Sequence, residues 1–133
     1  MHRRFLLIHL TPRTRELYKN FRDAARALDR IGDISHAKES LLQDATRMLD
    51  WAIREGSPSE IQHAQSDKDV ALQEHQRASE KFNAAVATAT QAFQAARPAM
   101  ESEGYPGEWW NRGNMRIPDG LESPGAYRRR KRS

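Results

Sequence analysis

The sequence contains no cysteine. Disulfide staples, thiolate zinc sites and cysteine nucleophiles are thereby excluded, and the compartment is left open, with a reducing interior slightly favoured. Long apolar runs are missing as well. The longest, Phe5-Leu6-Leu7-Ile8, is interrupted by His9 and stopped by Thr11-Pro12, far short of the ~20 residues that a membrane-spanning helix needs. Met1-His2-Arg3-Arg4 resembles the charged start of a secretory signal, yet the ~7 to 15 apolar residues and the small-residue cleavage site do not follow. The segment is expected to belong to a mature, soluble protein.

Motifs that carry chemistry are equally scarce. There is no Gly-x-Ser-x-Gly elbow to raise a nucleophilic serine, and neither glycine-rich pattern that cradles phosphates. Of the five histidines, only His63 has an acid at i, i+4 spacing, Asp67, and a zinc site usually needs at least one more protein ligand. Asp69 and Glu74 fall on other faces, and the paired carboxylates Asp67 and Asp69 point different ways on a helix. His75 lies on an apolar stripe, where a packing role is expected. The sequence predicts no catalytic residue, no metal and no cofactor.

What is present is a chain of 133 residues, enough for one domain with one core. Hydrophobic residues make up 38% and charged residues 30%, so the core should be thin. The net charge of +4 is unevenly spread. Arg3, Arg4, Arg13 and Arg15 precede any acid, and Arg128, Arg129, Arg130, Lys131 and Arg132 end the chain. The other 13 bases face 18 acids, so the body is net −5 between two basic ends. Charged termini around an acidic body point to arms as contact elements.

Glycine and proline divide the chain. Pro12 and Pro58 follow Thr11 and Ser57, placing proline in a first helical turn, where its missing N–H costs nothing, behind a hydroxyl that can cap. Gly32 and Gly56 each follow a periodic run. A first helix is expected over about 12–31, with Leu17, Phe21, Ala24, Leu28 and Ile31 on one face. A second, over about 35–55, carries Ala37, Leu41, Ala45, Met48 and Ala52 on its inner face, flanked by Leu42, Leu49 and Ile53. Ser57-Pro58-Ser59-Glu60 is a capping box that opens a third helix. This runs over about 58–97, where Pro98 disfavours helix, and spans about 60 Å at 1.5 Å per residue. A competing reading breaks it at Ser66-Asp67-Lys68-Asp69, giving four helices.

The expected fold is all-α: an antiparallel helical hairpin plus a long third helix, in a three-helix or coiled-coil-like bundle over 12–97. A basic and apolar N-terminal arm covers 1–11, and an irregular proline- and glycine-rich tail covers 98–133. In this arrangement the third helix overshoots the hairpin by half its length. The overhang carries Phe82, Val86 and Phe93, whose burial would be worth ~1.5 to 3 kcal/mol each. Cover by a second copy, by another protein or by the tail is expected for this stripe, the alternative being that it is ordinary core.

Tyr105, Trp109 and Trp110 stand in a turn-rich segment that cannot build its own core. Aromatics on such a peptide act as anchors in a pocket, on this chain or on a partner. Tyr127 and the five bases after it, with Arg3 and Arg4, fit phosphate neutralisation and base stacking without sequence readout. The sequence thus predicts a non-enzymatic helical interaction protein, a structural or adaptor subunit of an assembly that includes a protein partner or a second copy. Two rivals stand beside it: a freestanding nucleic-acid-binding protein acting through its arms, and an inhibitor docking through its tryptophan-bearing tail.

Overall fold

The structure, a computed structural model, describes residues 9–110. Two long helices dominate, α1 (Pro12–Glu55) and α2 (Pro58–Ser102), followed by one short turn of helix, α3 (Gly107–Trp110). No strand occurs among the described residues. The described residues are all-helical in class, and α1 and α2 pack against each other.

The expected break at Gly32 does not exist. Residues expected as a first and a second helix form one helix of 44 residues. A helical glycine costs only about 1 kcal/mol relative to alanine, and the apolar phase runs through it without a reset. Thr14, Phe21, Leu28, Ser35 and Leu49 are buried and Leu42 is half-buried, all on a single seven-residue repeat. A helix–loop–helix junction at Gly32 would have thrown that repeat out of register. The glycine takes no positive φ, so it has no capping conformation.

The consequence for the architecture is direct. What was expected as a long third helix is the second of two matched helices, 44 and 45 residues long, so it has no overhang. Helix α2 also runs unbroken through Ser66, without the alternative break there. It passes Pro98 and ends four residues later. An interior proline costs ~3 kcal/mol or more. Against this, Ala96, Met100 and Tyr105 around it are all buried, and a large apolar side chain contributes ~1.5 to 3 kcal/mol on burial.

The ends are closed by local chemistry. Ser57 and Glu60 form the expected capping box: Glu60 N–H donates to Ser57 Oγ at 3.2 Å and Ser57 N–H donates to Glu60 Oε1 at 3.1 Å. The connection needs Gly56, since a Cβ there would lie 2.9 Å from the Ala52 carbonyl oxygen. At the other end of α2, Tyr105 N–H donates to the Met100 carbonyl and Gly104 N–H to that of Glu101, both at 3.0 Å. This is a Schellman cap, and Gly104 supplies its left-handed residue at φ 89°.

The described chain divides into two compact units. The terminal unit holds residues 9–30 and 83–110; the hairpin unit holds Ile31–Phe82. The terminal unit has the larger buried apolar set, with Leu10, Phe21, Ala25, Leu28, Val86, Ala89, Phe93, Ala96, Met100, Tyr105 and Trp110. In the hairpin unit, Leu49, Ala52 and Ala64 cluster beside the turn with Ile61 packed on them. Farther from the turn the same unit mixes apolar and polar groups: Ala78, Phe82 and Ser35 are buried, and Lys38 Nζ reaches Glu74 Oε2 across the helices at 2.9 Å.

Candidate interaction surface

Among the described residues, Tyr18, Phe21, Phe93 and Trp110 of the terminal unit pack against one another. Trp110 packs edge-on against Phe21, with ring centroids 5.0 Å apart, and against Tyr18 at 6.0 Å. Phe93 lies 5.4 Å from Trp110 and 5.8 Å from Phe21. Edge-to-face rings at such distances add to the area they bury. The indole also satisfies its polar atom, because Nε1–H donates to the Tyr105 carbonyl at 3.0 Å. Burial pushes the Tyr18 phenol upward, with Arg22 and Arg26 pulling part of the way back.

A polar clasp ties the first turn of α1 to the end of α2 in the same unit. Glu103 accepts from Thr11 N–H at 3.0 Å through Oε1 and from the Thr11 hydroxyl at 3.1 Å through Oε2. Hydrogen bonding from Thr14 and from the Thr11 backbone holds the Glu103 carboxyl below the usual carboxylate range. The acid sits at a helix N-terminus, where the free N–H groups favour negative charge.

These contacts relocate the residues singled out by the sequence. Phe82, Val86, Phe93, Tyr105 and Trp110 are all buried within the chain. For Phe82, Val86 and Phe93 the expected need for outside cover followed from the overhang, which the length of α1 removes, and Phe93 is packed against Trp110 of the tail. Trp110 is an anchor, and its pocket is on its own chain. The side chain of Trp109 lies outside the described residues, as do Arg3, Arg4, Tyr127, Arg128, Arg129, Arg130, Lys131 and Arg132. His63 and Asp67 form an exposed pair 3.7 Å apart. No group of three or more potential metal ligands occurs among the described residues, and no described helix is long and apolar enough to cross a membrane.

A different surface emerges in the hairpin unit. All the exposed large hydrophobic side chains among the described residues lie there: Ile34, Leu41, Met48, Trp51, Ile53, Val70 and Leu72. Ile34, Leu41 and Met48 are 55%, 53% and 59% exposed and recur every seven residues along α1. Trp51, 41% exposed, follows one turn later. Sequence reasoning placed Leu41 and Met48 on the inner face with Leu42 and Leu49 as flanks. The structure reverses them, because the repeat through Phe21 and Leu28 continues to Leu42 and Leu49. The second half of α1 thus carries two apolar stripes, one facing α2 and one facing solvent. The adjacent pairs Leu41-Leu42 and Met48-Leu49 make the apolar band wider than one narrow stripe, and the repeat through Phe21 and Leu28 decides which member of each pair faces α2.

Compared with family models, with curated proteins and with solved structures, the chain matches none.

Proposed function

We propose that this chain is a non-enzymatic helical interaction protein, a structural or adaptor subunit whose protein contact is the outer face of α1 around Ile34, Leu41, Met48 and Trp51. The carrying observation is that, among the described residues, every exposed large apolar side chain falls in the hairpin unit, while Phe21, Phe82, Phe93, Tyr105 and Trp110 are buried. Scattered exposed apolar residues need no explanation, but a row at seven-residue spacing on a helix already packed through another face is the pattern of a bundle with a missing member. Asp33, Arg47, Asp50 and Arg54 beside the row are exposed and charged, so the face has a polar rim.

The test uses tagged full-length protein and a Leu41→Asp, Met48→Asp variant as baits in extract from the native source, each with and without nuclease. Proteins captured by the wild type, insensitive to nuclease and lost with the variant support this reading. Identical capture by both baits would refute it.

A second reading is favoured by the charge distribution. Nine bases at the termini around a body of net −5 suit an assembly in which the arms touch nucleic acid while the helices touch protein. Loss of the captured material on nuclease treatment, irrespective of the variant, would make the arms the principal contact.

A further inference from the structure

The charge and size pattern of the outer α1 face points to its occupant. We infer that the face pairs with the same face of a second copy, antiparallel and about a two-fold axis, giving a four-helix contact between two hairpin units. This rests on the reading of that face as the chain's contact surface.

The stripe forms a heptad repeat. Ile34, Leu41 and Met48 take its first position, and Ala37, Asp44 and Trp51 its fourth. Antiparallel helices bring first positions opposite fourth positions. One alignment uses the entire stripe: Ile34 opposite Trp51, Ala37 opposite Met48 and Leu41 opposite Asp44, each twice by symmetry. Small faces large at the Ala37–Met48 layers. Asp44 at the central layers is paired with Arg47 of its own helix, at the rim of the face, so its charge is not brought in alone.

The same alignment sets Asp33, just before the stripe, beside Arg54 of the second copy, just after it. Both are exposed, and Arg54 is held on the helix surface by a hydrogen bond to the Asp50 carbonyl at 3.3 Å. Opposite charges therefore meet at both ends of the contact. A parallel alignment would set Asp44 directly opposite its own copy in one layer, closer than in the neighbouring layers of the antiparallel one, and like charges so placed are costly. The face is self-complementary in one direction only, which is the requirement for a closed two-fold contact.

The full-length chain is tested by sedimentation equilibrium over a wide concentration range. The wild type is expected to approach twice the chain mass. Leu41→Asp is expected to stay at the monomer mass with unchanged helical circular dichroism, since Leu41 is exposed within its own chain. Asp33→Arg sets two arginines together at each end, and Arg54→Asp sets two acids together. Each single variant should dissociate at least tenfold more readily than the wild type, and an equimolar mixture of the two should recover wild-type association as a heterodimer.

A monomeric wild type at all concentrations overturns the inference, as does a dimer that survives Leu41→Asp or charge variants that fail to rescue each other. If the wild type is monomeric while the Leu41→Asp, Met48→Asp bait still loses its captured protein, the face binds a different chain and only self-pairing fails. If neither assay responds to the face, the proposed function fails with it.

Discussion

The indole nitrogen of Trp110 donates a hydrogen bond to the backbone carbonyl of Tyr105, five residues earlier, while its ring stands nearly perpendicular to Phe21 at 5.0 Å. One residue thereby closes its own turn and seals the terminal unit. Fixing the polar end of a tryptophan in a backbone hydrogen bond lets the remainder be buried without a desolvation penalty. The tail thus begins as part of the fold.

Trp110→Ala should therefore destabilise the protein by ~3 to 5 kcal/mol, the range for removing a large aromatic from a packed site. Urea unfolding followed by far-ultraviolet circular dichroism checks this. A loss within a few tenths of a kcal/mol would mean that Trp110 is dispensable to the fold.

Gly104→Ala should cost ~1 to 2 kcal/mol, the penalty for placing a Cβ in the left-handed region, because the Schellman cap needs its φ of 89°. Gly32→Ala, at a glycine with ordinary helical φ, should be free of this penalty. Thermal melts of the two variants, run together, separate a capping glycine from an interior one.

Glu103→Gln should remove a pH-dependent contribution. The folded carboxyl is held below its unfolded value by Thr14 and Thr11. Its stabilisation is complete above the unfolded pKa and disappears as pH falls through the folded one. Wild type and variant should differ in melting temperature at neutral pH and converge at low pH. The gap should also narrow with added salt, since the clasp is exposed to solvent. A gap that persists in acid would assign the effect to something other than this carboxylate.

How much of this was legible in the sequence depended on range. The Ser57–Glu60 capping box and the Thr11-Pro12 start were readable because their partners are neighbours. Gly32 misled because an interior glycine is a weak local signal, whereas the seven-residue repeat that overrides it extends over most of α1. The Trp110 pocket was not readable. Tyr18, Phe21 and Phe93 come to it from distant positions, and only the antiparallel closure of the terminal unit brings them together. The outer stripe was half visible: Leu41 and Met48 were recognised as a periodic pair but assigned to the wrong face, because a helix ending at Ile31 sets a different phase.

The basic tail carries its own expectation. If Arg128 to Arg132 all neutralise phosphates of duplex DNA, they should contribute about −4.5 to the slope of log K against log salt, and about −3.5 on single strands. Deleting residues 128–133 should reduce the slope without abolishing it, since Arg3, Arg4, Arg13 and Arg15 remain. Affinity should be insensitive to scrambling the sequence. Oligonucleotide titrations at several salt concentrations decide this, and equal slopes with and without the tail would retire the nucleic-acid reading.

The contact face itself is best examined by hydroxyl-radical footprinting of the full-length chain, dilute and at concentrations where it assembles, with side-chain oxidation read by mass spectrometry. Met48 and Trp51 are reactive and exposed, so they should be labelled readily in dilute protein and should lose most of that labelling on assembly. Phe82, Phe93 and Trp110, already buried within the chain, should be labelled weakly and equally in both states. Equal oxidation of Met48 and Trp51 in the two states, or new protection at Phe82 and Phe93 instead, would contradict the assignment of the outer α1 face as the surface through which this protein works.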